Sequence, residues 1–173
     1  MASEVSVVLL DLDNTLYDWV DIWYRSFKPM LDELVQKSGV AEEQLIADFK
    51  EVFTRHGTTE YSYAIEDLSC LRERHPGEDL SEAYASAIRA YREGRQDALK
   101  LYPHVLETLR MLRSRGCLMV AYTESMAFYV TYRIRKLGLD GMLDYVYSPP
   151  DHELPETVLA ATPRRYEPYV YEL

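Results

Sequence analysis

The stretch VSVVLLDLDNTLYDW, from Val5 to Trp19, decides how the rest of the chain is read. Six almost entirely apolar residues run without alternation into two aspartates, Asp11 and Asp13. An apolar run of this length without a period predicts a strand over Val5 to Leu10, buried on both faces as in a parallel sheet. Two carboxylates at the end of such a strand are badly placed for a core. They are well placed at the rim of a sheet, where a ligand can reach them.

Beyond Leu16 the apolar period changes from strand to helix. Trp23, Phe27, Met30, Leu31, Leu34 and Val35 recur at helical spacing up to Gly39. Leu45, Phe49, Val52 and Phe53 mark a second helix closed near Gly57. Ile65, Leu68 and Leu71 mark a third before Pro76-Gly77, and Leu80, Tyr84, Ala87, Ile88 and Tyr91 a fourth ending near Gly94. Four helices with no strand between them predict a helical insertion after the first strand.

The strand-helix alternation then returns. Pro103 fits the first turn of a helix carrying Val105, Leu106, Leu109 and Leu112, stopped by Gly116. CLMVAY, Cys117 to Tyr122, reads as a second buried strand and ends in Thr123, Glu124 and Ser125. Tyr129, Ile134 and Leu137 line the next helix, with Gly138 at its C-terminus. YVYS, Tyr145 to Ser148, is a third strand. Right-handed crossovers make such a series a parallel α/β sheet. Both polar clusters fall at carboxyl ends of strands, where ligands of such sheets bind. Lys136 sits beside Arg133 and Arg135, and the three read as a solvated helix face.

Composition narrows the function. The chain has 173 residues and a formal net charge of −10, which argues against a nucleic-acid surface and against anionic membranes. It leaves small phosphorylated ligands open, since a local cation can reverse the field in a cleft. Two distant cysteines, Cys70 and Cys117, match no metal-ligand spacing, and the N-terminal MASEV lacks a signal peptide's basic start. A reduced, cytoplasmic protein is expected. The four histidines show no ligand spacing either.

DLDNTLY is similar to the first motif of the haloacid dehalogenase-like (HAD) hydrolases, DxDxT after a buried strand. The strand CLMVAY followed by Thr123 resembles the second motif of that superfamily, and the helical insertion resembles its all-helical cap. The resemblance implies an α/β fold: a Rossmann-like parallel core over residues 1–16 and 101–173, incomplete at its C-terminus, with a helical cap over 17–100. It implies a Mg²⁺-dependent phosphatase acting on a small phosphomonoester, such as a nucleotide or a sugar phosphate, through an aspartyl-phosphate.

In that scheme Asp11 is the nucleophile, since a carboxylate that holds the phosphoryl group splits one hard step into two. Asp13 protonates the leaving oxygen and later activates water. Dehalogenases of the superfamily lack an aspartate there, because a halide needs no proton, so phosphatase is favoured. Asp11 and Asp13 also hold the metal. Thr15 fixes the turn, Thr123 hydrogen-bonds the phosphoryl oxygens, and Glu124 and Ser125 line the pocket or cap the following helix.

Two parts of the superfamily's machinery have no counterpart. No lysine follows Lys136, and no apolar strand ending in paired acids follows Ser148. Arg164 or Arg165 is one source of the missing positive charge. Without it, a phosphate brought near the two aspartates meets like charges at about 4 kcal/mol per pair at close range. A strand that follows the third and flanks the first is missing too, so VSVVLL is expected to be an exposed edge prone to self-association. The alternative to an enzyme is a catalytically weak or inactive chain that keeps the fold as a binding or partner-completed module.

Overall fold

A computed structural model of the chain describes residues 6–149 and 170–172. The order opens with β1 (Val7–Leu10), α1 (Trp19–Ser38), α2 (Glu42–His56), a 3₁₀ turn (Ile65–Asp67), α3 (Ser69–Arg72) and α4 (Leu80–Ala83). It continues with α5 (Ala85–Ala98), α6 (Val105–Ser114), β2 (Leu118–Tyr122), α7 (Ala127–Lys136), β3 (Tyr145–Ser148) and β4 (Val170–Glu172). The chain divides into two compact units, residues 1–20 with 99–173, and residues 21–98.

The first unit is a four-stranded parallel sheet in the order β1-β2-β3-β4. Register pairs Val7 with Leu118, Leu10 with Ala121, Ala121 with Val146, and Ser148 with Glu172. Since each step moves the same way across the sheet, right-handed crossovers place α6 and α7 on one face. Met119, Ala121 and Val146 point to that face and are buried, as are Leu109 of α6 and Val130 of α7. Asp144 fixes the register of β2 against β3. Its carboxylate accepts from the Met119 N–H at 2.8 Å and from Arg113 Nη1 at 3.0 Å.

The opposite face differs from the expectation for β1. Val7 is 53% exposed and Leu9 71%, and Leu118, Tyr122 and Tyr145 are exposed beside them. Strand β1 is therefore covered on one side only. It is also terminal in the strand order, so among the described residues it has β2 as its one neighbour. An unalternating apolar run reports a strand suited to cover on both faces, and Val7 and Leu9 leave one face of β1 exposed. Strand β4, absent from the sequence reading, lies beyond β3 and away from β1.

The chain leaves and re-enters this unit at adjacent points. The Tyr102 N–H donates to the Leu16 carbonyl at 2.8 Å, and Tyr17 bridges Leu101. An insertion between neighbouring points costs the core little. Helix α6 begins at Val105 after His104 in the left-handed region, two residues later than Pro103 suggests.

The second unit is all helical. Leu34, Leu45, Leu68, Leu71 and Ala87 are fully buried in one cluster that also holds Met30, Phe49 and Val52. Gly39 and Gly57 adopt φ near +67° at the ends of α1 and α2, as their positions suggest. The third and fourth expected helices are each divided. The third becomes the 3₁₀ turn and α3, with Asp48 accepting from the Cys70 N–H and Ser69 Oγ. The fourth breaks at Tyr84, with Asp79 capping α4 through Ser81 N–H and Glu82 N–H.

Gly94 does not end α5, which continues to Ala98. A Cβ there would lie 2.0 Å from the Arg25 carbonyl oxygen of α1. Pro29, four residues beyond Arg25 inside α1, has no N–H to offer that carbonyl. Glycine is required by the close approach of two helices, not by a stop.

Candidate active site

The loop after β1 is held by its own side chains. The Asp11 carboxylate accepts from the Leu12 N–H at 2.8 Å and from Thr15 Oγ1 at 3.2 Å, and stays exposed to solvent. Leu12 carbonyl oxygen accepts from Thr15 N–H and Leu16 N–H, closing a tight turn. Asn14 takes φ +57°, a conformation asparagine tolerates. Its Oδ1 accepts from the Trp19 N–H at 3.0 Å, capping the start of α1. Thr15 and Asn14 thus shape the turn that carries both aspartates.

Strand β2 brings the second cluster alongside. Thr123 N–H donates to the Tyr147 carbonyl at 3.0 Å, so the sheet pairing reaches past Tyr122 and holds Thr123 against the Asp13 loop. Thr123 is buried, 1% exposed. Its Oγ1 donates to Asp13 Oδ2 at 3.3 Å and accepts from the Ser125 N–H at 3.1 Å. Ser125 Oγ donates to the same Asp13 oxygen. Glu124 is exposed. Neither Thr123 nor Ser125 caps α7, whose N-cap is Met126 without a side-chain bond.

The residue that sequence reasoning misplaced is Arg133. It does not belong to a solvated face: it is 2% exposed, while Lys136 is exposed. Arg133 Nη1 donates to Asp13 Oδ1 at 3.1 Å and to Ser125 Oγ at 2.8 Å. Its guanidinium lies 5.7 Å from the Tyr17 ring and 5.9 Å from the Tyr129 ring. Helical side chains lean toward the N-terminus, so an arginine two turns into α7 reaches back to the strand ends. Arg133 stands four residues from both Tyr129 and Leu137, but Lys136, seven residues from Tyr129, falls beside the same stripe, so spacing alone does not single Arg133 out.

Three donors therefore converge on Asp13, while Asp11 keeps an open side. Tyr17 closes the back of the cluster, 1% exposed. Burial pushes its phenol far above the ordinary value; Arg133 pulls against this and Asp13 adds to it. Ser148, opposite Thr123 across β2 and β3, is fully buried.

No group of three acidic, histidine or cysteine side chains that could hold a metal occurs among the described residues. The carboxylate of Asp11 is exposed at the strand end. Arg164 and Arg165, the alternative source of positive charge, lie outside the described residues. No helix among the described residues is long and apolar enough to cross a membrane.

A family model described as haloacid dehalogenase-like hydrolase matches residues 8–162. A glyceraldehyde 3-phosphate phosphatase from Methanopyrus kandleri is 25% identical over 138 residues, covering 78% of this chain and 58% of the relative. The fold is similar to that of a structure assigned as a beta-phosphoglucomutase from Thermotoga maritima. Its TM-score is 0.55 and its identity 19%, covering 83% of this chain and 61% of the other. A haloacid dehalogenase-like family hydrolase from Xanthomonas campestris gives a TM-score of 0.51 at 16% identity, covering 92% and 67%. This chain thus spans about 60% of the length of the first two relatives.

Proposed function

Because the chain belongs to the haloacid dehalogenase-like hydrolases, we propose that it is a Mg²⁺-dependent phosphatase of small phosphomonoesters. One observation carries the reading: Asp11 is exposed at the end of β1, beside an Asp13 that is tied to Thr123 at the end of β2. The matched phosphatase supports a phosphorylated metabolite of sugar-phosphate size as substrate. The acidic chain and the absence of a basic stripe support neither nucleic acid nor membrane as partner. The cysteine usage supports a cytoplasmic setting, and the buried Cys70 and Cys117 form no disulfide.

The donor set suits a hard cation. An Asp11 carboxylate oxygen and the Asp13 carbonyl are hard ligands, and two of them suffice for Mg²⁺, which keeps several waters of its own. When bound it would draw negative charge from the phosphoryl oxygens.

The proposed steps use the protein's own residues. An Asp11 carboxylate oxygen attacks phosphorus, the bond to the ester oxygen breaks, and that oxygen leaves with a proton from Asp13. Asp13 then takes a proton from water as the water attacks the aspartyl-phosphate, releasing inorganic phosphate and freeing Asp11. Thr123 holds Asp13 by the longest of its three bonds. Its hydroxyl is therefore the one best able to turn toward a phosphoryl oxygen.

Hydrolysis of p-nitrophenyl phosphate by the purified chain with MgCl₂ tests the reading. Asp11→Asn should abolish turnover, and chelation of the metal should stop it. Full activity in Asp11→Asn would overturn the assignment. A second reading, a fold-retaining module with little catalysis, is favoured by the small set of acidic ligands among the described residues. It predicts tight phosphate binding without turnover. Association of two chains through the β1 edge belongs to either reading.

A further inference from the structure

We propose that Arg133 is a positioning residue of this site, acting on the reaction through Asp13. The proposal rests on the phosphatase reading. Arg133 makes two polar contacts through one nitrogen. Its Nη1 contacts Asp13 Oδ1 at 3.1 Å and Ser125 Oγ at 2.8 Å, and Ser125 in turn donates to Asp13 Oδ2. The Tyr17 and Tyr129 rings flank the guanidinium. With 2% exposure it cannot leave for solvent, and it is too deep to meet the substrate itself.

The bonds from Arg133, Ser125 and Thr123 fix the rotamer of Asp13, with Oδ1 toward Arg133 and Oδ2 toward the two hydroxyls. A general acid displaced from its leaving oxygen is of little use. Arg133 therefore acts on protonation of the leaving group, and its loss should be felt where that proton matters.

The experiment compares the full chain with Arg133→Met, Arg133→Lys, Asp13→Asn and the double variant Asp13→Asn/Arg133→Met. Each is assayed with MgCl₂ on phenyl phosphate, a poor leaving group, and on p-nitrophenyl phosphate, a good one. Arg133→Met should lower kcat on phenyl phosphate about a hundredfold, and less on p-nitrophenyl phosphate, with KM changed little. In the Asp13→Asn background the same substitution should have no further effect on kcat. Arg133→Lys, which keeps the charge, should recover part of the loss. The double variant removes both members of the ion pair and so remains folded where Arg133→Met alone is unstable. Equal losses on the two esters, or a loss that persists in the Asp13→Asn background, overturn the proposal. Absence of turnover by the native chain instead overturns the phosphatase reading, and with it any catalytic role for Arg133.

Discussion

Arg133 and Asp13 stand 120 residues apart in sequence and 3.1 Å apart in space. One comes from the middle of α7 and the other from the loop after β1, so their bond closes the site and ties the first strand to the last helix. The arginine side chain is 2% exposed and the aspartate 21%. That asymmetry makes the pair a test of how charge is accommodated.

Removal of the aspartate strands a buried cation, whereas removal of the arginine leaves a carboxylate that water can partly reach. Asp13→Ala should therefore lower the unfolding free energy by about 3 kcal/mol, and Arg133→Met by less. Urea unfolding followed by circular dichroism measures both. The opposite ranking would mean that the guanidinium is hydrated or otherwise compensated.

Gly94→Ala offers a sharper steric test. Alanine is the better helix former by about 1 kcal/mol, so an exposed helical glycine should gain from the change. Here the new methyl would sit 2.0 Å from the Arg25 carbonyl oxygen. A net loss of about 2 kcal/mol is expected, the usual cost of forcing atoms into a filled contact. A stabilised Gly94→Ala variant would show that α1 and α5 are free to separate.

Leu9 is 71% exposed on the terminal strand of the sheet. An apolar edge of this kind is a template for pairing with another chain. The purified protein should scatter light as a dimer or larger species rather than as a 20.2 kDa monomer. Leu9→Lys should shift it toward the monomer without changing its helix content. A native chain that is already monomeric across the micromolar range would rule this out.

The pH dependence of stability should have a contribution from Asp144. The N–H of Met119 and the side chain of Arg113 hold its carboxyl below the usual carboxylate range, against a smaller opposing effect of burial. A depressed folded-state value means that the unfolded chain binds the proton more readily. The stabilisation is therefore complete above the ordinary carboxylate value near 4 and is lost as pH falls below it. Asp144→Asn should cost more stability at pH 7 than at pH 3 in urea titrations. Equal costs at the two pH values would show that the bonds to Met119 and Arg113 do not depend on charge.

Periodicity made much of this legible. The positions of β2, β3, α1, α2 and α7, and the helical insertion, follow from local runs whose spacing reports which face is apolar. The weaker readings failed where local pattern and tertiary contact disagree. Gly94 looks like a helix stop, yet serves an approach to a carbonyl freed by Pro29 sixty-five residues earlier. Leu68 and Tyr84 lie on apolar stripes, yet the helices there break into short pieces around the core. Strand β4 is too short and too polar to announce itself.

Local spacing is enough to show two aspartates at the end of an apolar strand and Thr123 at the end of its neighbour. Those facts depend on spacing within short segments, and spacing is written in the chain. Only the tertiary structure decided what Asp13 touches. Its partners come from the loop after β2 and from α7, and Arg133, which is buried, looks in sequence like its neighbours Arg135 and Lys136. Charge type is visible in a sequence, but whether a charge is solvated or paired depends on what folding brings against it. The exposure of β1 has the same origin: a run of valines and leucines records a strand meant to be covered, and what covers it is settled only by the elements that reach it.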